Sequence, residues 1–399
     1  MKNKFFGSIL IVAGTTIGGG MLAMPIISAA VGYRAIALIL IGVWLIMSYT
    51  ALLFVEIYQY TSIKEGFNTL THKYLGNWAS LTTGICMMAL MYALLAAYIS
   101  GGGDVLTENM SQWLNIKVPP ELGILLFALL FGSIVSLGTR IIDVFNKWIF
   151  IIKIIFLTIV LVLLAPQIHY VNLLSLPISK ASILLVLPVI FTSFGFHVNI
   201  PSIVDYMDGD QRKLKRIVII GSAIPLAIYL LWQLMVLGSI EQYAFLSILE
   251  NQSSIQGLLV AIRKMVQLPI INISFNVFAA AALVTSFLGV SLGLFDYIAD
   301  LTVKHKQINK TFIVSLLTFV PPVTFALFYP EGFVLALGYA AIPLVFLVLF
   351  LPVFLINRLY RIKNIKVSWR KRLILLTIVC VGILLILLQI GIATGFIAN

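Results

Sequence analysis

The chain has 399 residues, of which 61% are hydrophobic and only 10% charged, with a mean hydropathy of +1.10. This composition excludes a soluble globular protein; repeated apolar runs of about 20 residues are the lengths that cross a bilayer as helices. The net charge of +12 would otherwise suit a nucleic-acid binder.

Eleven spans are expected, near residues 5–30, 35–60, 78–101, 122–138, 144–165, 181–204, 217–239, 270–298, 311–328, 332–356 and 373–396. The start, "MKNKFFGSILIVAG", has the basic head and apolar core of a secretory signal. Its apolar stretch runs on to about Ala30, so it reads as the first span. Inside that span stands "AGTTIGGGMLAMP", residues 13–25. Glycine costs about 1 kcal/mol in a helix interior and proline roughly 3. Lipid offers no partners to a freed backbone, so a deliberate break is expected there.

Unwinding near Gly14–Gly20 would expose amides and begin a new half-helix around Met21. Its N-terminus suits a carboxylate. Gly18, Gly19 and Gly20 let a ligand approach the backbone, and Thr15 and Thr16 either assist or cap the first half-helix. The third span supplies Tyr92, and Glu56 falls near the inner end of the second.

The sixth span carries the second interruption, "LPVIFTSFGFHVNIPSIVDYM". Pro201 biases Ile200 away from the α region. The polar run Thr192, Ser193, His197, Asn199 and Ser202 would be costly facing lipid. Carbonyls freed around Thr192–Gly195 would accept from an ammonium group. Two Gly/Pro-interrupted spans at matching positions of two halves point to the binding site of a secondary transporter. The expected fold is therefore all-α and polytopic, a single transmembrane domain over 1–399. Residues 1–165 form a first five-helix repeat, 181–356 a second, inverted one, and 373–396 a peripheral eleventh helix.

His197 is the one histidine in a span interior, and it reads either as a protonation site or as a neutral hydrogen-bonding group. Phe194 and Phe196 flank Gly195 and are first choices for an aromatic slot; Tyr339 in the tenth span is a further candidate. The eighth span contributes Thr285 and Ser286, which read either as hard oxygen ligands for Na⁺ or as small packing residues. Asp296 and Asp300 close its inner end. Cys86 and Cys380 sit mid-span, too few for a disulfide framework.

With the N-terminus inside, alternate loops hold 21 of the 26 basic residues. They include "RKLKR", "KHKQINK", and Arg140, Lys147 and Lys153; the other side keeps five. Basicity on one side of short loops marks the cytoplasmic face, so the charge is topological, and eleven spans put the C-terminus outside. No Walker-type phosphate loop appears, nor a catalytic cluster or pore-lining polar stripe. An enzyme is not expected, and a channel is the weaker alternative to a transporter.

The stretches "GTTIGGGMLAMP", "SFGFHVNIPS", "TSFLGVSLGLFDYIAD" and "MSYTALLFVEIY" resemble the hydroxy and aromatic amino acid permease family, the tyrosine/tryptophan permeases. This family lies within the amino acid–polyamine–organocation superfamily. The likeness extends from near residue 5 through the eleven-span pattern and is greatest to tyrosine-specific members. It implies the five-plus-five inverted-repeat fold in a bacterial cytoplasmic membrane. It also implies uptake of an aromatic amino acid with H⁺, Na⁺ being the alternative coupling ion, and no other cofactor. "HVN" departs from the family's His-Gly spacing, which leaves open the choice among tyrosine, tryptophan and phenylalanine.

Overall fold

The computed structural model describes residues 2–136, 139–251, 254–266, 268–302 and 310–397. In chain order its helices are α1 (Lys2–Thr16), α2 (Gly20–Ser28), α3 (Tyr33–Ile57), α4 (Phe67–Leu75), α5 (Asn77–Leu114), α6 (Pro120–Ser136), α7 (Thr139–Leu164) and α8 (Tyr170–Leu173). Then come α9 (Lys180–Ser193), α10 (Ile200–Tyr206), α11 (Gln211–Ser239), α12 (Gln242–Asn251) and α13 (Ser254–Met265). The last are α14 (Pro269–Thr302), α15 (Lys310–Phe328), α16 (Phe333–Val345), α17 (Leu351–Ile362) and α18 (Trp369–Ala393). No strand occurs among the described residues.

Nine of these helices or joined pairs are long and apolar enough to cross a membrane, and ten are if α1 and α2 count as one span bent by 48°. The expected fourth span corresponds to α6, only 17 residues long. The expected third span ended at residue 101, yet α5 runs 38 residues to Leu114, about 57 Å at 1.5 Å per residue. The reason is packing. Gly102 and Gly103 stay helical with α6 against them, where a Cβ at Gly103 would stand 2.8 Å from Ile124 Cα, and Gly101 packs on Ile255, Leu283 and Phe333. The basic cluster "KHKQINK" lies outside the described residues except for Lys310.

Proline shapes several spans. Pro352 brings no N–H, and the backbone just before it widens into a π-helical turn over Phe346–Phe350 that joins α16 to α17. Asp210 caps α11, accepting from the Lys213 amide at 3.1 Å while pairing with the Lys213 ammonium at 2.6 Å. The broken elements sit centrally: α1 packs on α11, α2 on α9, α14 on α5 and α7, and α16 on α5 and α9.

Candidate functional site

Helix α1 ends at Thr16, and α2 starts at Gly20. Between them the chain turns tightly, with Met21 N–H donating to the Gly18 carbonyl at 3.1 Å and Leu22 N–H to that of Gly19 at 3.0 Å. The Gly19 amide donates to Ser286 Oγ at 3.0 Å. Among the described residues, the amides of Gly18 and Gly20 have no hydrogen-bond acceptor. Both lie at the start of a helix whose dipole favours an anion.

The space around these glycines is closed to side chains. A Cβ at Gly19 would stand 2.7 Å from the Tyr98 ring, and one at Gly20 2.6 Å from Ser193 Oγ. Gly18 faces Ser286 Oγ in the same manner. Tyr98, buried on α5, was not foreseen as part of the site.

The second interruption is milder. After α9 the chain passes through Phe194, Gly195 and Phe196 into one short 3₁₀ turn, His197–Asn199, and resumes as α10. Carbonyls of Thr192, Ser193 and Phe194 already accept from Gly195 N–H, the Tyr229 hydroxyl and Phe196 N–H respectively. Among the described residues, the Gly195 carbonyl has no donor. The Thr192 and Ser193 hydroxyls bond back to Pro188 and Val189 carbonyls, each at 2.9 Å.

The structure brings the two breaks together. Asn199 Nδ2 donates to Thr15 Oγ1 at 2.8 Å, while the Thr16 hydroxyl bonds back to the Val12 carbonyl. The Tyr229 hydroxyl lies 2.5 Å from the Thr16 carbonyl and 3.0 Å from that of Ser193. One turn on, Trp232 Nε1 donates to the Met21 carbonyl at 3.1 Å, and Gln233 Nε2 to Ser28 Oγ at 2.8 Å. Tyr229, Trp232 and Gln233 occupy i, i+3 and i+4 of α11, one face. All three are fully buried. Their signal in the sequence was "YLLWQ", three side-chain donors on one stripe of an apolar span.

Lys153 changes its assignment. It was counted as a cytoplasmic loop charge, but it lies inside α7 at 1% exposure. Its ammonium donates to the Ile17 carbonyl at 2.7 Å and to Thr285 Oγ1 at 3.3 Å, and sits 4.7 Å over the Phe150 ring. No carboxylate pairs with it among the described residues. Of the two hydroxyls read as Na⁺ ligands, Thr285 accepts from Lys153, while Ser286 accepts from the Gly19 amide.

His197 is buried, stacked on Phe196 and edge-on to Phe54. Its Nε2 is 2.9 Å from Thr50 Oγ1, which is 3.1 Å from the Met47 carbonyl. With the Thr50 proton on that carbonyl, Nε2 carries the histidine proton and Nδ1 is a bare acceptor. Nδ1 has no partner.

Other expected residues lie apart. Phe194 and Phe196 are wholly buried, Phe194 edge-on to Tyr229, so neither presents an open slot. Tyr92 donates to the Leu317 carbonyl at 2.7 Å and ties α5 to α15. Tyr339 is half-buried on α16. Asp296 and Asp300 are exposed on α14. Glu56 joins α3 to α18 through Lys371, 2.8 Å from both carboxylate oxygens, and accepts from the Tyr360 hydroxyl of α17.

Comparison with known proteins follows the same lines. Residues 1–389 match the model of the tryptophan/tyrosine permease family. "Tyrosine-specific transport system 1" of Haemophilus influenzae is 40% identical over 397 residues, covering 99% of this chain and 98% of that protein. "Tryptophan-specific transport protein" of the same organism is 31% identical over 409 residues, with the same coverage. The crystal structure of MhsT in complex with L-phenylalanine is similar in fold, with a TM-score of 0.60 at 12% identity, covering 96% of this chain and 98% of that one.

Proposed function

The chain belongs to the tryptophan/tyrosine permease family, and we propose that it imports an aromatic amino acid, tyrosine first, by H⁺ symport with alternating access. The family is one of transporters, not enzymes. Residues 1–165 and 181–356 act as inverted repeats with 373–396 outside them, eleven spans in all. The N-terminus is cytoplasmic and the C-terminus outside a bacterial inner membrane. The substrate carboxylate is received by the amides of Gly18 and Gly20, and its ammonium by the Gly195 carbonyl.

One observation carries the choice of ion: the Lys153 ammonium between the Ile17 carbonyl and Thr285 Oγ1. Na⁺ needs several hard oxygen ligands, and a covalently held cation on two of them repels a second. An ammonium can release and regain a proton where a metal ion cannot. An ionisable residue inside a membrane span is functional by default. His197, with its free Nδ1, is the second group able to hold a proton on this path.

The test is counterflow in proteoliposomes with labelled tyrosine, tryptophan and phenylalanine under separately imposed H⁺ and Na⁺ gradients. Accumulation of tyrosine that follows the H⁺ gradient and ignores Na⁺ is the expected result. Transport of none of the three would remove the substrate assignment, and dependence on Na⁺ alone would remove the coupling.

A further inference from the structure

The last basic cluster of the chain differs from the others. From Gly332 onward the sequence holds no Asp or Glu, and all seven of its Lys and Arg fall within residues 357–372, "NRLYRIKNIKVSWRKR". The other basic stretches keep carboxylates at hand. "DYMDGDQRKLKR" sets three acids beside four bases, and Lys4 pairs with Asp208, Lys73 with Glu65 and Lys213 with Asp210. Among the described residues, only Lys371 of the seven has a carboxylate partner, Glu56 at 2.8 Å. Arg358, Arg361, Lys363, Lys366, Arg370 and Arg372 are exposed and have none.

The fold gathers these charges at one level. After α17 the chain turns at Asn364, φ 52°, where Ile365 N–H donates back to the Tyr360 carbonyl at 2.9 Å. It then reaches Ser368, which caps α18 by accepting from the Lys371 amide at 3.3 Å. The Lys371 ammonium lies 4.9 Å over the Tyr360 ring, which sets Arg358 and Arg361 of α17 level with Arg370 and Arg372 of α18. On α17, Phe354 and Arg358 stand at i and i+4 of one face, and on α18 Arg372 and Leu376 do the same. Phe354 is 45% exposed and Leu376 60%. Each row thus passes from an exposed apolar side chain to an exposed guanidinium within about one helical turn, as hydrocarbon gives way to headgroups. Trp369, 70% exposed with the Arg370 guanidinium 5.7 Å over its ring, is a residue type of that boundary.

We propose that the adjoining ends of α17 and α18 form a binding site for anionic phospholipid. The guanidinium groups of Arg358, Arg361, Arg370 and Arg372 donate to its phosphate oxygens, and its acyl chains lie along the Phe354 and Leu376 rows. A guanidinium presents paired N–H donors that match a phosphate, and a basic cluster directly beside a membrane span draws anionic headgroups. The apolar rows decide the partner: a nucleic acid or an acidic protein would leave them uncovered, whereas a lipid covers charge and row together. The inference is independent of the solute carried. It gives α18 a second anchor at the end where Lys371 already ties it to Glu56.

The experiment is equilibrium binding of labelled phosphatidylglycerol to the purified full-length protein in nonionic detergent, with labelled phosphatidylcholine as the zwitterionic reference. Phosphatidylglycerol should bind more tightly by about fivefold or more, the effect of one cation near an anionic surface. Arg358→Gln combined with Arg372→Gln leaves five of the seven cations in the loop, enough to hold it on its side of the membrane. This variant should weaken phosphatidylglycerol binding about fivefold or more and leave phosphatidylcholine unchanged. Lys215→Gln combined with Arg216→Gln removes the same charge from "RKLKR" and should change neither. Equal weakening by both pairs would reduce the effect to net charge and overturn the site. Displacement of the lipid by millimolar inorganic phosphate would also overturn it, marking a soluble anion as the occupant. Should the Arg358/Arg372 variant fail to fold, the wild-type protein decides, since equal binding of the two lipids overturns the proposal.

Discussion

Lys153 Nζ donates to the Ile17 carbonyl across 2.7 Å, which ties the middle of α7 to the point where the first span unwinds. The same ammonium reaches Thr285 on α14, so one side chain joins three elements that a transport cycle must move. Lys153→Gln keeps a donor and a similar length but cannot carry the proton. Tyrosine accumulation driven by an imposed pH gradient should fall to the equilibrium level, while exchange of labelled for unlabelled tyrosine continues. Retained pH-driven accumulation would show that the proton rides elsewhere.

His197 offers the elsewhere. Its Nε2 is engaged by Thr50, and Nδ1 is free. His197→Gln preserves neutral hydrogen bonding, so loss of pH-driven accumulation with surviving exchange would make it a proton carrier. Weakened tyrosine binding with intact coupling would make it a substrate group. Thr50→Val separates the two further by removing the hydroxyl that sets the tautomer. If the tautomer matters, this variant should shift the pH dependence of uptake while His197 is still present.

Two identical tripeptides show what the sequence discloses and what it hides. "GGG" at 18–20 breaks its helix, and "GGG" at 101–103 does not. The first is followed by Pro25 and opposed by Tyr98, Ser193 and Ser286. In the second, Gly102 and Gly103 meet Phe127 and Ile124 of α6, and Gly101 meets Ile255, Leu283 and Phe333. Glycine gives freedom to unwind and freedom to pack, and only the neighbours decide. The spans, the two interruptions and Gly18–Gly20 were legible because periodicity and breaker residues are local signals. Lys153 was not, because a lysine in an expected span counts with the loop charges on its side until the fold places it beside Ile17. Tyr98 and Tyr229 were hidden for the same reason, their partners lying 188 and 213 residues away in sequence.

Tyr229 holds the two breaks in register, its hydroxyl between the Thr16 and Ser193 carbonyls. Tyr229→Phe removes the single hydroxyl proton that the Thr16 and Ser193 carbonyls share. Such a loss costs on the order of 1–3 kcal/mol. The thermal unfolding midpoint in detergent should drop by a few degrees, and uptake should fall more steeply than stability, because the half-helices that face substrate lose their common anchor. Ala at Tyr98, which deletes a neighbour without touching the two carbonyls, serves as the contrasting case. A Tyr229→Phe protein with normal KM and normal maximal rate would reduce the residue to packing.

The cluster of Glu56, Tyr360 and Lys371 joins α3, α17 and α18, and so ties the last helix to the bundle at one face. The carboxylate and ammonium are about three-quarters buried, with side-chain exposures of 24% and 27%, so salt screens them less than a surface pair. An ion pair of this kind contributes on the order of 1 kcal/mol. If its work is to hold α18 in one state of the cycle, Glu56→Lys and Lys371→Glu should each depress tyrosine uptake, since each sets two like charges together. The double exchange restores opposite charges in the same place and should recover most of the rate. A double-mutant cycle on uptake reads the coupling directly. Additive losses, with no recovery in the exchanged pair, would mean that the two charges serve their own helices and not the contact between them.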